Sequence, residues 1–181
     1  AVPSAAALPN IHVLTYATKV TKELCDCLLV SLSSGIRLKV LGFNQPYRGN
    51  FQKLLGARQY VASLPPTDLV FFADAYDVLY VANEERLRDR FLSLNISRER
   101  VLFMAEAGCW PDWDMAFGRA FCQQRYPSTS HPYRYLNSGS WIGYVGPALE
   151  LLSDTASYSP GLDDQQVVAH IFVDQPHRFE L

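Results

Sequence analysis

No hydrophobic run in this sequence approaches the roughly 20 residues that a membrane-spanning helix needs. Basic runs are absent too. With a formal net charge of -2, the chain has no long-range field to attract nucleic acid or an anionic membrane. Cysteine is scarce: Cys25, Cys27, Cys109 and Cys122 are the whole set, and the C-D-C spacing is tighter than the knuckle of a structural zinc site. Buried thiols and one or more disulfides both fit those four positions. There is no glycine-rich phosphate loop of the dinucleotide or kinase kind, no internal repeat and no low-complexity tract. The first residues are small and Pro-containing, without the charged and apolar regions of a signal peptide. Residues 1–10 therefore read as a linker or trimmed terminus, which leaves the compartment open.

What remains is a chain of 181 residues, 49% hydrophobic, which suits one domain (11–181) with a sizeable core. Aromatics reach 13%, a level that serves core packing and also the surfaces that bind sugars and bases. Short apolar runs alternate with helical patterns, the signature of a mostly parallel sheet flanked by helices. Strands are expected at 11–16, 38–43, 69–73, 101–105 and 135–145. Helices are expected at 19–34, closed by Gly35 in a left-handed cap, and at 51–64, stopped by Pro65-Pro66. A third, charged helix follows Asn83 as its cap, with Glu84 and Glu85 in the first turn. Pro147 should open a fourth at its favoured first position, and 162–173 forms the last. Residues 108–132 show little periodicity, and connections that long usually carry function.

The sharpest chemical feature is Asp74-Ala75-Tyr76-Asp77, placed directly after the apolar strand L-V-F-F-A. Ligands of open parallel sheets gather at the carboxyl ends of strands. Two carboxylates there can share a hard divalent cation such as manganese or magnesium, which bridges readily to phosphate oxygens. They could equally be solvated turn residues. Tyr76 offers a flat ring for stacking on a base, or for the core. Glu106 follows its strand as Asp74 does and should project into the same crevice. Trp110 and Trp113 could form a sugar platform or anchor a loop. Asn137-Ser138-Gly139 combines amide, hydroxyl and close backbone approach, the mix that sugar hydroxyls require, and a tight strand entry would use the same residues. Asp163 and Asp164 sit where a helix is capped.

Four blocks carry a resemblance. They are I-H-V-L-T-Y-A-T through F-F-A-D-A-Y-D-V-L-Y (11–80), V-L-F-M-A-E-A-G-C-W-P-D-W (101–113), R-Y-L-N-S-G-S-W-I-G (134–143) and D-D-Q (163–165). In this order they resemble the glycosyltransferase domain of the procollagen lysyl hydroxylase and collagen galactosyltransferase-like family. The resemblance implies a Rossmann-like, glycosyltransferase type A-like fold that is incomplete at its C-terminal end. By similarity, Asp74 and Asp77 would hold Mn2+ (or Mg2+) with the UDP diphosphate, and Tyr76 would stack on uracil. Thr15 and its neighbours would lie against the nucleoside, and Glu106 and Trp110 would face the sugar or acceptor. Asn137, Ser138 and Gly139 with Asp163 and Asp164 would complete the donor pocket.

The family's metal set also includes a histidine well downstream of the D-D-Q block. His12, His131, His170 and His177 occupy no matching context, so none is assigned to metal. The stretch 117–131 departs from the family's shorter acidic, glycine-bearing loop, and variable loops commonly choose the acceptor. The implied activity moves glucose or galactose from UDP-glucose or UDP-galactose to a protein or glycan hydroxyl in the endoplasmic reticulum or Golgi lumen. There the sequon Asn95-Ile96-Ser97 would be meaningful. A different class also fits: a non-catalytic nucleotide-sugar-binding or assembly module. A phosphohydrolase with an aspartate nucleophile fits less well, because Val78-Leu79-Tyr80 stands where such enzymes usually carry a threonine.

Overall fold

The computed structural model describes residues 7–110, 121 and 124–181. Trp113, Cys122 and, within 117–131, residues 117–120 and 123 lie outside the described residues. Six strands form one sheet: β1 (Ile11–Tyr16), β2 (Lys39–Leu41), β3 (Leu69–Ala73), β4 (Val101–Glu106), β5 (Tyr135–Tyr144) and β6 (Phe179–Glu180), in the order β2-β1-β3-β5-β4-β6. Pairings β1–β2, β1–β3 and β4–β6 are parallel, whereas β5 runs antiparallel to both β3 and β4. The sheet is thus mostly parallel, with β5 alone reversed.

Helices α1 (Lys22–Ser33), α2 (Phe51–Val61), α3 (Glu84–Ser93), α4 (Val145–Asp154) and α5 (Asp164–Asp174) cover its two faces. Alternation along the strands separates two cores. Leu14, Val70, Phe72, Trp141 and Phe103 face α2, α4 and α5, where Leu54, Val61, Leu151, Leu152, Val168 and Phe172 meet them. Ile11, Val13, Leu69, Ala73 and Ile142 point the other way, toward Cys27 of α1 and Phe91 of α3. Phe72 stacks on Trp141 across the β3–β5 seam, with ring centroids 5.6 Å apart.

Local chemistry sets the boundaries. Thr21 caps α1 and Asn83 caps α3, each accepting from a backbone N–H in the first turn. Gly35 takes the expected left-handed conformation, with φ 78°. β2 is shorter than its apolar run because Gly42, at φ 72°, turns the chain out of the ladder. A side chain at Gly42 would also collide with the Tyr16 ring, 2.3 Å from an added Cβ. Pro147 is not the first residue of its helix, as sequence suggested. α4 begins at Val145, whose N–H donates to Asp68 O at 2.9 Å while Gly146 N donates to Pro66 O at 3.1 Å, so contacts to the β3 entry fix the helix start. Cys25 and Cys27 are free thiols and Cys109 is disulfide-bonded. Among the described residues no helix is long and apolar enough to cross a membrane.

Candidate donor-binding site

β1 and β3 deliver their carboxyl ends to a cleft of about 290 Å³ lined by Tyr16, Thr18, Tyr47, Asn50, Lys53, Asp74, Ala75, Tyr76 and Asp77. Asp74 leaves β3 still tied to the sheet, its N–H donating to Gly139 O at 2.8 Å. Ala75 is buried and holds the turn down, so Tyr76 and Asp77 stand outward on the cleft wall. Tyr76 is 39% exposed, and its hydroxyl donates to Lys19 O at 3.4 Å, leaving the ring available to a flat ligand.

Lys53, on the first turn of α2, reaches under this turn. Its Nζ lies 2.9 Å from Asp74 Oδ1 and 2.8 Å from Asp164 Oδ2, and its side chain is 15% exposed. Burial alone would pull this ammonium down, but the two carboxylates outweigh it and hold it above the ordinary lysine range. Burial pushes Asp164 up to about 6, with Lys53 opposing. Asp74 is raised as well, chiefly by burial and further by Asp77 and Asp163, against the pull of Lys53. Among the described residues the cleft is therefore acidic, with Lys53 as a buried cation at its base.

β5 backs Asp74 from behind the cleft, and a break in the ladder shapes it there. Phe103 pairs with Trp141 but Met104 pairs with Asn137, so Ser138, Gly139 and Ser140 have no partner on β4. Their freed groups turn to side chains. Ser138 N donates to Gln165 Oε1 at 3.2 Å, Ser138 Oγ donates to Asp164 Oδ2 at 3.1 Å, and Gly139 N donates to Asn137 Oδ1 at 2.8 Å. Gln165 Nε2 donates in turn to Glu106 Oε1 at 2.5 Å, linking the end of β4 to the start of α5. Bulges of this kind re-aim strand side chains beside active sites. Gly139 is required by proximity: an added Cβ would lie 2.8 Å from Asp74 Oδ2.

The structure brings Asp74, Tyr76 and Asp77 together on the cleft wall, and joins Asn137, Ser138, Gly139, Asp164 and Glu106 through one hydrogen-bonded network beneath it. Asp163 and Asp164 divide their roles. Asp163 caps α5 in a capping box and also accepts from Asn50 Nδ2 at 2.9 Å, while Asp164 is 3% exposed and points at Lys53. Trp110 is 43% exposed, four residues past β4. Thr15 and its neighbours are the stretch expected against a nucleoside. Thr15 itself is fully buried, its Oγ1 lacks a hydrogen-bond partner, and only Tyr16 and Thr18 of L-T-Y-A-T reach the cleft. His12, set aside as a metal ligand, pairs with Asp68 at 3.0 Å, at the amino-terminal end of β1.

Lys53, Asn50 and Gln165 were missed from sequence. Lys53 lies off the apolar stripe of α2 (Phe51, Leu54, Ala57, Val61), so periodicity is silent about it. Asn50 resembles an ordinary cap, yet makes no side-chain cap bond and spends its amide on Asp163. A glutamine directly after paired aspartates was the one available signal for Gln165.

Asp74 and Asp77 suit a hard cation in a limited way. Among the described residues no group of three or more His, Cys, Asp or Glu side chains converges as a metal site. Magnesium-like ions are, however, commonly held by one or two carboxylates, with substrate phosphates and water filling the remaining positions. The pair fits an ion that arrives with a diphosphate.

Comparison with known proteins agrees with this architecture. Mouse xyloside xylosyltransferase 1 superposes with a TM-score of 0.55 at 17% identity, covering 95% of this chain and 84% of that one. A glycosyltransferase involved in glycosylation of the major capsid of PBCV-1 gives 0.55 at 15%, covering 95% and 81%. The fold is that of the glycosyltransferase type A class. In sequence, a multifunctional procollagen lysine hydroxylase and glycosyltransferase of Caenorhabditis elegans is 30% identical over 96% of this chain and 24% of its own length. The human multifunctional procollagen lysine hydroxylase and glycosyltransferase LH3 is 27% identical over 95% and 23%. The chain thus spans about a quarter of the length of these relatives. The family described as the PLOD GT domain matches residues 7–181, and the chain belongs to that glycosyltransferase-domain family.

Proposed function

We propose that the cleft binds a UDP-sugar with a divalent cation and transfers glucose or galactose to a protein hydroxyl, of hydroxylysine or a similar residue. The observation that carries this reading is the outward turn Asp74–Asp77 at the end of β3, with Tyr76 between its two carboxylates. A bound Mn2+ or Mg2+ supplies charge neutralisation at the departing diphosphate. The chain's own residues do the rest. Tyr76 offers its ring to the base, and Asp74 and Asp77 offer oxygens at the diphosphate position. Asn137 offers its amide to sugar hydroxyls, Ser138 and Asp164 are bonded to each other behind the cleft where Asp164 anchors Lys53, and Glu106 is held by Gln165. Positioning of this kind is worth several powers of ten in rate when the reacting atoms are already aligned.

The relatives' printed names support a procollagen-modifying role, and with it a secretory-pathway compartment. The disulfide at Cys109 suits an oxidising lumen, and Asn95 of the sequon is exposed in a turn at φ 52°. Asp77→Asn tests the site: UDP release from UDP-glucose and UDP-galactose, with manganese and a hydroxylysine peptide, should fall at least about 100-fold, as expected when a group acting on the leaving phosphate is lost. Unchanged turnover would remove Asp77 from the reaction. A second reading, a nucleotide-sugar-binding module without turnover, draws on one observation: among the described residues only two carboxylates face the diphosphate position. Wild-type chain that binds UDP calorimetrically but releases none from either sugar donor would favour it.

A further inference from the structure

Among the described residues Lys53 is the one buried cation lining the cleft, and it stands on a carboxylate that the donor-site reading gives to a metal. We propose that Lys53 is a built-in stand-in for that ion, so that the cleft takes up divalent metal and nucleoside diphosphate jointly and takes up metal alone poorly. The inference rests on the donor-site reading above.

Geometry makes the competition direct. Lys53 Nζ is 2.9 Å from Asp74 Oδ1, and both side chains line the same cleft. An ion seeking Asp74 on the cleft side therefore meets an ammonium already seated. It must displace that ammonium and then sit beside its charge.

The ammonium cannot simply leave. It is anchored on Asp164, 2.8 Å away with a side chain only 4% exposed, and the Asn50–Asp163 hydrogen bond of 2.9 Å ties the start of α2 to the start of α5 around it. A lysine ammonium has three N–H donors. Two are committed to Asp74 and Asp164, and the third is left for the cleft that Lys53 lines. A diphosphate removes the conflict, because its oxygens accept from Lys53 while also ligating the ion on Asp74 and Asp77. Lys53 then exchanges Asp74 for a phosphate oxygen and keeps Asp164. By linkage, the factor by which UDP tightens metal binding equals the factor by which metal tightens UDP binding.

The test is binding, read without turnover. The electron paramagnetic resonance signal of free Mn2+ is titrated against the full chain with and without UDP, for wild type and Lys53→Gln. Wild type should bind Mn2+ about tenfold or more tightly once UDP is present, within the range usual for coupled sites. Lys53→Gln should bind Mn2+ alone about tenfold more tightly than wild type, and its gain from UDP should shrink to less than about threefold. If the two freed carboxylates unfold the single variant, the double variant Lys53→Gln, Asp164→Asn removes one of those charges and carries the same expectation for Mn2+ alone. A folded variant with wild-type Mn2+ affinity and undiminished coupling overturns the stand-in role and leaves the donor site intact. Wild-type chain that binds no UDP under any metal condition overturns the donor-site reading, and this inference with it.

Discussion

A methyl group at position 139 would come to 2.8 Å from Asp74 Oδ2 and 2.9 Å from Asn137 Oδ1, inside the 3.4 Å where ordinary contact begins. Gly139→Ala therefore asks the Asp74 carboxylate to retreat by about 0.6 Å, the difference between 3.4 and 2.8 Å. Asp74 has little freedom to comply, because its N–H is bound to Gly139 O at 2.8 Å and its Oδ1 to Lys53 at 2.9 Å. The backbone itself accepts alanine, since Gly139 is not among the residues with positive φ. Alanine in a strand gains roughly 0.5–1 kcal/mol over glycine, while overpacking costs about 1–3 kcal/mol. The net loss, between about 0 and 2.5 kcal/mol, lowers Tm by at most roughly 10 °C for a chain of this size. Activity should suffer more. A displacement of 1 Å costs on the order of 100-fold, so one of about 0.6 Å should lower kcat/KM for the UDP-sugar roughly ten- to twentyfold. Steady-state UDP release well below the variant's Tm, beside a thermal melt, separates the two effects. Wild-type kcat/KM in the folded variant would refute the claim that this glycine exists to make room for the carboxylate.

Two further perturbations address the network beneath the cleft. Gln165→Leu leaves the buried Ser138 N–H and the Glu106 carboxylate without their partner. It should cost about 1–3 kcal/mol per orphaned group, measured by urea denaturation, whereas a loss below about 0.5 kcal/mol would show that neither bond matters. Asp164 makes stability pH-dependent. Burial raises its folded-state pKa to about 6 from the ordinary 3.8. Its favourable contribution is therefore full below about pH 4 and is lost as pH rises through 6. Asp164→Asn should flatten the fall in stability across that interval, and a variant with the wild-type slope would assign the titration elsewhere.

Much of the fold could be read from local pattern. β1 and β3 have the expected bounds because an apolar run buried on both faces leaves few alternatives. The Asp74–Asp77 turn could be read because it follows such a strand. The reversal of β5 could not, since alternation specifies which faces a strand presents and says nothing of its direction. The burial of Thr15 has a related cause: adjacent strand residues face opposite sides, so a run that lines the cleft at Tyr16 and Thr18 buries the residue beside them. The Lys53 bridge escaped because it depends on two elements distant in sequence meeting one off-stripe lysine, and no local window contains that information.

The interrupted pairing at Ser138–Ser140 also bears on how such a domain can drift over generations. Two main-chain amides, those of Ser138 and Gly139, are held by the side chains of Gln165 and Asn137 in place of the neighbouring strand. Elsewhere in the sheet, side chains can change while backbone bonding persists. Here a substitution at Gln165 or Asn137 would strip the scaffold and the support behind Asp74 of the same bond, so foldability and the shape of the cleft would be filtered together. Such positions should change only in concert.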